Sequence, residues 1–401
     1  MAPYRPGLTD AVVVISDFQE GWPPAEPPEP SAEEVADAWR RGDRAEPPPG
    51  PDNGLVRRDV PVLGGYLERL PLALVSAGHA THAEIWHHWR PPDPGPWRRD
   101  NPALLRRSFR MSAGGPPFGS ASMRGFVQAF GAPRILCAWG LGVDDALLDA
   151  CESSFRIYNS IDAPALRLPP STSGRFDLVL TAAEWQSREV EARHPGMPTL
   201  VLPIGPDFAD PETFRPLGLP KCYDAIYVAA AQPYKRHDVL FDALASAPRR
   251  LSALCVFGYG DDADMLRRQA AERGLAVDFI GPPGVDFAEV NRLMNLARVG
   301  VVCGVDDGAP AILTEYMLAG LPVLANASLR CGLQYILPET GRVADAASFG
   351  AALADLADAA PRMAPRATVI ERWTWPHSIR ILAERLADIP KGRGLLAPVR
   401  P

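Results

Sequence analysis

Short apolar runs that alternate with amphipathic helical stretches, in two successive series, constrain this chain more than any other feature. In the first series the strand-like runs fall at 11–18, 72–76, 134–138, 155–159, 178–181 and 199–203, with helical periodicity at 144–151 and 185–193. In the second they fall at 224–230, 251–257, 277–280, 299–303 and 322–325, and helices read at 238–247, 262–273, 287–297, 311–319 and 346–360. Strands that alternate with helices build βαβ units and parallel sheets, whose strands are buried on both faces and so read as continuous apolar runs. The expected class is therefore α/β, with two Rossmann-like parallel domains. Ligands of such sheets sit at the carboxyl ends of the strands, which predicts a cleft between the two domains. The boundary is expected near residue 216, giving domains 1–216 and 217–370 and a terminal segment 371–401. Residues 22–51, rich in Pro and Glu around one helical stretch at 32–41, read as a surface insertion.

Composition removes several function classes. The chain has 401 residues and a net charge of −7, so no global basic field invites nucleic acid. Its longest apolar stretches fall well short of the roughly 18 residues of a membrane span, and the first is too short for a signal peptide, so the expectation is a cytoplasmic protein. The six cysteines, at 137, 151, 222, 255, 303 and 331, form no Cys-x-x-Cys pair and lie mostly in apolar runs, which reads as buried thiols in a reducing compartment.

The richest window is 301–325, VVCGVDDGAPAILTEYMLAGLPVLA. A strand ends in Asp306-Asp307-Gly308, Ala309-Pro310 leads into a helix, and Gly320 ends it, in line with the preference for Pro at helix starts and Gly after helix ends. Such a turn is an anion site, since unsatisfied N–H groups and the positive dipole end face outward. Asp307 and Glu315 are spaced so that one carboxylate can accept hydrogen bonds from sugar hydroxyls and the other from a ribose.

Here the chain resembles the GT-B glycosyltransferases, in particular the retaining family 4 (group 1) enzymes. Their acidic residue, Gly, Glu and Ala-Gly-x-Pro-Val are matched by Asp307, Gly308, Glu315, Ala319, Gly320, Pro322 and Val323, with Asp307 one methylene shorter than the usual Glu. Gly332 and Gly341-Arg342-Val343 resemble the following glycine loop and strand. The stretch 201–216 resembles the interdomain segment, 227–238 the strand and loop whose Lys contacts the donor diphosphate, 254–260 the next strand and its glycine turn, and 373–386 the terminal helix that crosses back to the first domain. The likeness covers most of residues 155–388.

The resemblance implies metal-independent, retaining transfer of a sugar from a nucleotide-sugar donor, with no cofactor, to a glycan, lipid-linked or small-molecule acceptor. It places Lys235 on the departing diphosphate, Asp307 on the donor sugar and Glu315 on the ribose, with Arg236, Gly258, Gly308, Ala309 and Pro310 completing the donor site. Ala230 stands where the family usually carries an arginine, and Arg236 is the substitute cation. Asp162 is the nearest polar residue to the position of the family's N-domain histidine and is taken as a catalytic candidate. A non-catalytic sugar-nucleotide-binding subunit, or a GT-B-like epimerase or phosphorylase, is the alternative.

Two further segments bear on the acceptor side. His79, His82, His87 and His88 are read as a helix edge lining that side or as an exposed helix, with a spacing poor for a metal. Residues 97–110, WRRDNPALLRRSFR, combine five arginines with Trp, Leu and Phe, so they offer either a peripheral contact with an anionic membrane or a solvated arginine face.

Overall fold

The computed structural model describes residues 7–20, 30–44, 46–52, 60–89, 97–161, 164–397 and 399, with the side chains of 17–20 left aside. The chain forms two compact units, Met1–Ile204 with Ile379–Pro401, and Gly205–Ser378. The division thus falls at Ile204 instead of near residue 216, and the chain returns to the first unit after Ser378.

The first unit is built on an eight-stranded sheet. Its strands are β1 (Ala11–Glu20), β2 (His82–Trp89), β3 (Arg98–Asn101), β4 (Leu104–Arg110), β5 (Ile135–Trp139), β6 (Phe155–Asn159), β7 (Leu178–Thr181) and β8 (Thr199–Val201). They lie in the order β3-β4-β2-β1-β5-β6-β7-β8, parallel throughout except for the antiparallel β3–β4 pair. Val13, Ile15, Leu136, Ala138 and Tyr158 bury one face against Met123 and Phe126 of the helix Ala121–Phe130. The terminal residues complete this unit: the Lys391 ammonium donates to Asp177 and to the Glu152 carbonyl, both at 3.1 Å, and Arg134 donates to the carbonyls of Gly394 and Ala397.

Three expectations for this unit need correction. The run 72–76 is not a strand but the end of the helix Tyr66–Ser76, because an apolar run of that length reads alike as a buried strand or a buried helix turn. Residues 82–88 are not a helix but the buried strand β2, whose polar side chains hide its character. The stretch 22–51 is not wholly superficial. Its helix Ala32–Arg41, started by a Ser31–Glu34 capping box and closed by left-handed Gly42, buries Val35 and Ala36. Gly125 makes that packing possible, since a Cβ there would run into the Ala32 carbonyl and Val35.

A buried ion pair explains how β2 carries charge. The Arg107 guanidinium meets the Glu84 carboxylate in fork geometry, at 2.8 and 2.9 Å, and the Trp86 indole donates to the same carboxylate at 2.8 Å. Both charged side chains are inaccessible to solvent. Burial alone would raise the Glu84 pKa, but the Arg107 charge and these hydrogen bonds outweigh it and hold the group below its usual range. Within 97–110, then, Arg107 pairs inside with Glu84, Arg106 pairs with Glu68 and Asp100, and Phe109 is core.

The second unit carries a six-stranded parallel sheet of β9 (Tyr223–Val228), β10 (Ser252–Val256), β11 (Ala276–Ile280), β12 (Ala297–Val302), β13 (Val323–Asn326) and β14 (Gly341–Ala344). The order is β11-β10-β9-β12-β13-β14. Alternate residues feed two cores: Tyr227 joins Phe241, Phe257 and Phe349 on one face, while Ile226 joins Tyr316, Met317 and Tyr335 on the other. Gly300 admits Tyr316, whose ring occupies the space of a Cβ there, and the Tyr316 hydroxyl accepts from the Val228 N–H at 2.7 Å. The two ends of this unit are pinned together. Ala209 and Thr374 form an isolated β-bridge, and the Ser378 hydroxyl donates to the Asp207 carbonyl.

Candidate functional site

The strand order of the second unit runs outward from β9 in one direction and from β12 in the other, so the topological switch lies between these two neighbours. Ligands of open parallel sheets bind outside the carboxyl ends of the strands at such a point. The loop after β9 carries Lys235, and the loop after β12 carries Asp307. The Lys235 ammonium donates to Asp307 Oδ2, with both side chains mostly but not wholly buried. Residues 72 positions apart in the sequence thus form one ion pair at the switch point.

Both loops are held in place by the chain around them. The Tyr227 hydroxyl donates to the Lys235 carbonyl at 2.6 Å, and the Lys235 ammonium lies 4.8 Å from the centre of the Tyr234 ring. Gly304 lets the loops approach, since a Cβ there would stand 3.1 Å from the Tyr234 carbonyl oxygen and 3.7 Å from Lys235 Cα. On the far side, the Asn326 amide donates to the Cys303 carbonyl at 2.8 Å, and Arg330 N–H donates to the Val305 carbonyl. Two residues adopt left-handed backbone without being glycine: Arg236 at φ 54° and the buried Ala309 at φ 61°. Such conformations cost about 1–2 kcal/mol each, and they cluster at functional loops.

Of the other sequence candidates, Gly308 and Pro310 flank Ala309 in the Asp307 loop, and Glu315 sits in the helix Ile312–Leu318, 7% exposed. Arg236 turns to Asp238, with contacts of 2.9 and 2.7 Å, and raises its own pKa in doing so. Gly258 follows β10, and the space where its Cβ would lie is open. Ala230 is buried at the end of β9. Asp162 lies outside the described residues, so it is placed neither near the pair nor away from it.

His237, which sequence reasoning passed over, starts the helix His237–Ser246 directly after Arg236. Its ring packs 4.8 Å from Tyr227 and 5.3 Å from Phe257, and its Nε2 has no partner among the described residues. Burial first, and then the Lys235 charge, push its pKa down to about 4. It is a neutral wall beneath Lys235, and the adjacent Lys-Arg-His run was the only signal for it. Asp207, at the start of the unit, is the opposite case. Burial lifts its pKa to about 7 although the Tyr335 hydroxyl donates to it at 2.6 Å.

In the first unit, β1 and β5 are the neighbours from which the order diverges. Beside β5, at the carboxyl end of β6, Asn159 Oδ1 and the Ser160 hydroxyl are buried without a hydrogen-bond partner among the described residues. Buried polar groups are nearly always paired, so these two are exceptions at the strand end. Of the histidine cluster, His82 and His88 are buried in β2, and His82 and His87 have pKa values pushed down to about 4, in each case first by burial. Among the described residues no group of three or more His, Cys, Asp or Glu is placed to hold a metal. Five of the cysteines are buried and Cys222 is exposed. No described helix is long and apolar enough to cross a membrane.

Residues 210–357 match the family of glycosyl transferases group 1. Among solved structures, sucrose-phosphate synthase (tll1590) from Thermosynechococcus elongatus superposes with a TM-score of 0.61 at 17% identity, covering 93% of this chain and 98% of that one. Anabaena Alr3699/HepE, solved in complex with UDP and glucose, gives 0.57 at 14% identity, covering 94% and 100%. The pneumococcal O-GlcNAc transferase GtfA, in complex with UDP and GlcNAc, gives 0.53 at 13% identity, covering 70% of this chain. The chain spans 61% of GtfA. No curated protein is a significant sequence relative of the chain. The fold is that of the GT-B glycosyltransferases.

Proposed function

We propose that the protein transfers a sugar from a nucleotide-sugar donor held by the second unit to an acceptor hydroxyl bound through the first. The observation that carries this reading is the Lys235–Asp307 pair at the β9/β12 switch point, within the residues that match the group 1 family. UDP is the first nucleotide to test, because it is the one bound in the HepE and GtfA structures.

In this reading the donor diphosphate takes the place of the Asp307 carboxylate beside Lys235. Lys235 then offsets the charge that builds on the departing phosphate, the kind of preorganised electrostatic work that commonly supplies the largest share of catalysis. Asp307, released, accepts hydrogen bonds from the donor sugar. Glu315 accepts from the ribose hydroxyls, and Arg236, Gly258, Gly308, Ala309 and Pro310 line the remaining donor site. Transfer proceeds with retention and without metal. Asn159 and Ser160 meet hydroxyls of the acceptor, and Asp162 remains a candidate on the same side.

The test is calorimetric titration of UDP, GDP and ADP, with and without EDTA, into the wild type and Lys235→Ala. One nucleotide should bind, unaffected by EDTA and weakened by the substitution; the anomeric configuration of the product, read by NMR with the matching nucleotide-sugar, then decides retention. Absence of binding by every nucleotide at millimolar concentration would sink the reading. The buried Ala230, in place of a cation, favours a second one: a subunit that binds a sugar nucleotide without transferring it. That reading predicts nucleotide binding with no turnover on any acceptor.

A further inference from the structure

The second unit has another cavity at the opposite end of its sheet. It opens at the amino ends of β9, β12 and β13, between the segment 216–221, Asn295–Arg298, Ala319-Gly320 and residues 360–366, and encloses about 480 Å³. Because all six strands are parallel, this end faces away from the carboxyl-end loops that carry Lys235 and Asp307. It is therefore a separate site, whatever the donor site binds.

Its lining is unusual in charge. Lys221, Arg298 and Arg366 all border it, and no lining residue is acidic. Arg366 is spread over carbonyls, donating to Phe214 and Leu318 at 2.7 Å and to Pro211 at 2.9 Å. Its nearest opposing charges, Glu212 and Asp210, lie outside the lining. The Lys221 ammonium donates to the Asn295 carbonyl at 2.9 Å. Burial of that end and then the Arg298 charge lower its pKa, although the residue as a whole lies at the rim. Lys221 and Arg298 repel one another, and an anion between them relieves that repulsion.

Apart from Asn295, the rest of the wall is apolar, with Pro216, Leu219, Pro361 and Met363 among its residues. Gly320, at φ 88°, leaves open the space in which a Cβ would stand 3.3 Å from the Pro216 ring. The volume is that of a small-molecule pocket, about 300–1,000 Å³ for such sites. We infer that this cavity binds an organic monophosphate, its phosphate between Lys221 and Arg298 and its apolar body against the proline- and methionine-lined wall. The planar guanidinium fork of Arg298 suits a phosphate, which accepts several hydrogen bonds at once.

The probe is 1-naphthyl phosphate, titrated by calorimetry into the full-length protein, with 1-naphthol and inorganic phosphate as the two halves of the ligand. Naphthyl phosphate should bind more tightly than either half. Arg298→Gln should weaken it about tenfold, as expected for a lost charge-assisted hydrogen bond, and the rim substitution Lys221→Gln about threefold. UDP affinity should be unchanged in both variants. No binding at millimolar concentration, binding unmoved by both substitutions, or binding abolished by Lys235→Ala would each overturn the proposal. The last outcome would place the probe in the donor site. UDP binding that fails while naphthyl phosphate binds would overturn the donor reading and leave this one standing.

Discussion

The ammonium of Lys235 and the carboxylate of Asp307 neutralise each other across the two loops at the switch point of the second sheet. Each is therefore committed before any ligand arrives, and a diphosphate must compete with a carboxylate for the same cation. Removing that competitor should tighten the binding of a free nucleoside diphosphate. Asp307→Asn is expected to raise UDP affinity about threefold to tenfold, a modest gain because the pair retains some access to water, while sugar transfer falls. Lys235→Ala should weaken both. Equal UDP affinity in wild type and Asp307→Asn, measured by calorimetry, would show that the pair does not obstruct the site.

Glu315 is nearly buried in a helix behind the Asp307 loop. If it holds the ribose, Glu315→Ala should weaken nucleotide binding by about 1–3 kcal/mol, the range for a lost hydrogen bond to a charged group. The comparison ligand is the 2′,3′-dideoxy nucleotide, whose affinity should not change.

Gly304 is where a single methyl would separate the loops. With the new Cβ 3.1 Å from the Tyr234 carbonyl oxygen, Gly304→Ala pushes the Lys235 segment away from Asp307. Nucleotide affinity should drop about tenfold with a loss of stability near 1 kcal/mol. An unchanged affinity would mean that the loop yields without moving Lys235.

Stability should depend on pH through Asp207. Its native pKa of about 7 lies above the ordinary aspartate value of 3.8, so between these values the folded chain holds a proton that the unfolded chain has lost. Stability from this group is full below pH 4, declines as pH rises towards 7 and is level above. In Asp207→Asn the amide stands in for the neutral acid. Urea unfolding from pH 5 to 8 should show the variant gaining on the wild type as pH rises, by about 2–4 kcal/mol in all. His237, with a lowered pKa, acts in the reverse sense: its contribution is full above 6.5 and lost as pH falls towards about 4.

Arg107 tests whether the arginine-rich segment serves the fold or a surface. Its guanidinium is enclosed with Glu84, so Arg107→Met leaves a buried carboxylate unpaired and should destabilise the protein by about 3–5 kcal/mol. The double variant Arg107→Met/Glu84→Gln should recover much of that loss. Failure of recovery would mean that Arg107 contributes through its packing on Phe126, 4.6 Å from the ring centre.

How much of this was legible in the sequence differs between the units for a physical reason. In the second, the central strands β9, β10, β12 and β13 carry buried apolar residues and the edge strand β11 is still mostly apolar, so all five appear as runs within one or two residues of their bounds. The same window carries Asp307 and Glu315, because turn chemistry and helix ends are local. In the first unit the strand His82–Trp89 is buried with three histidines and a glutamate, which only partners distant in sequence make tolerable. Local patterns cannot register such compensation, and the adjacent 72–76 was drawn into the wrong class. The Lys235–Asp307 ion pair was likewise invisible: both residues were singled out, but nothing in their spacing shows that they meet each other first.

The pinned ends of Gly205–Ser378 also bear on the order in which the chain becomes structured. That segment is, in effect, inserted into the first unit, entering and leaving through neighbouring residues. It can therefore be complete on a ribosome that has not yet released residues 379–401. The first unit cannot, since Lys391 and the carbonyls of Gly394 and Ala397 are part of its framework. The half of the protein made first is thus the half finished last, and a truncation of the final two dozen or so residues should damage the amino-terminal sheet while sparing the carboxyl-terminal one.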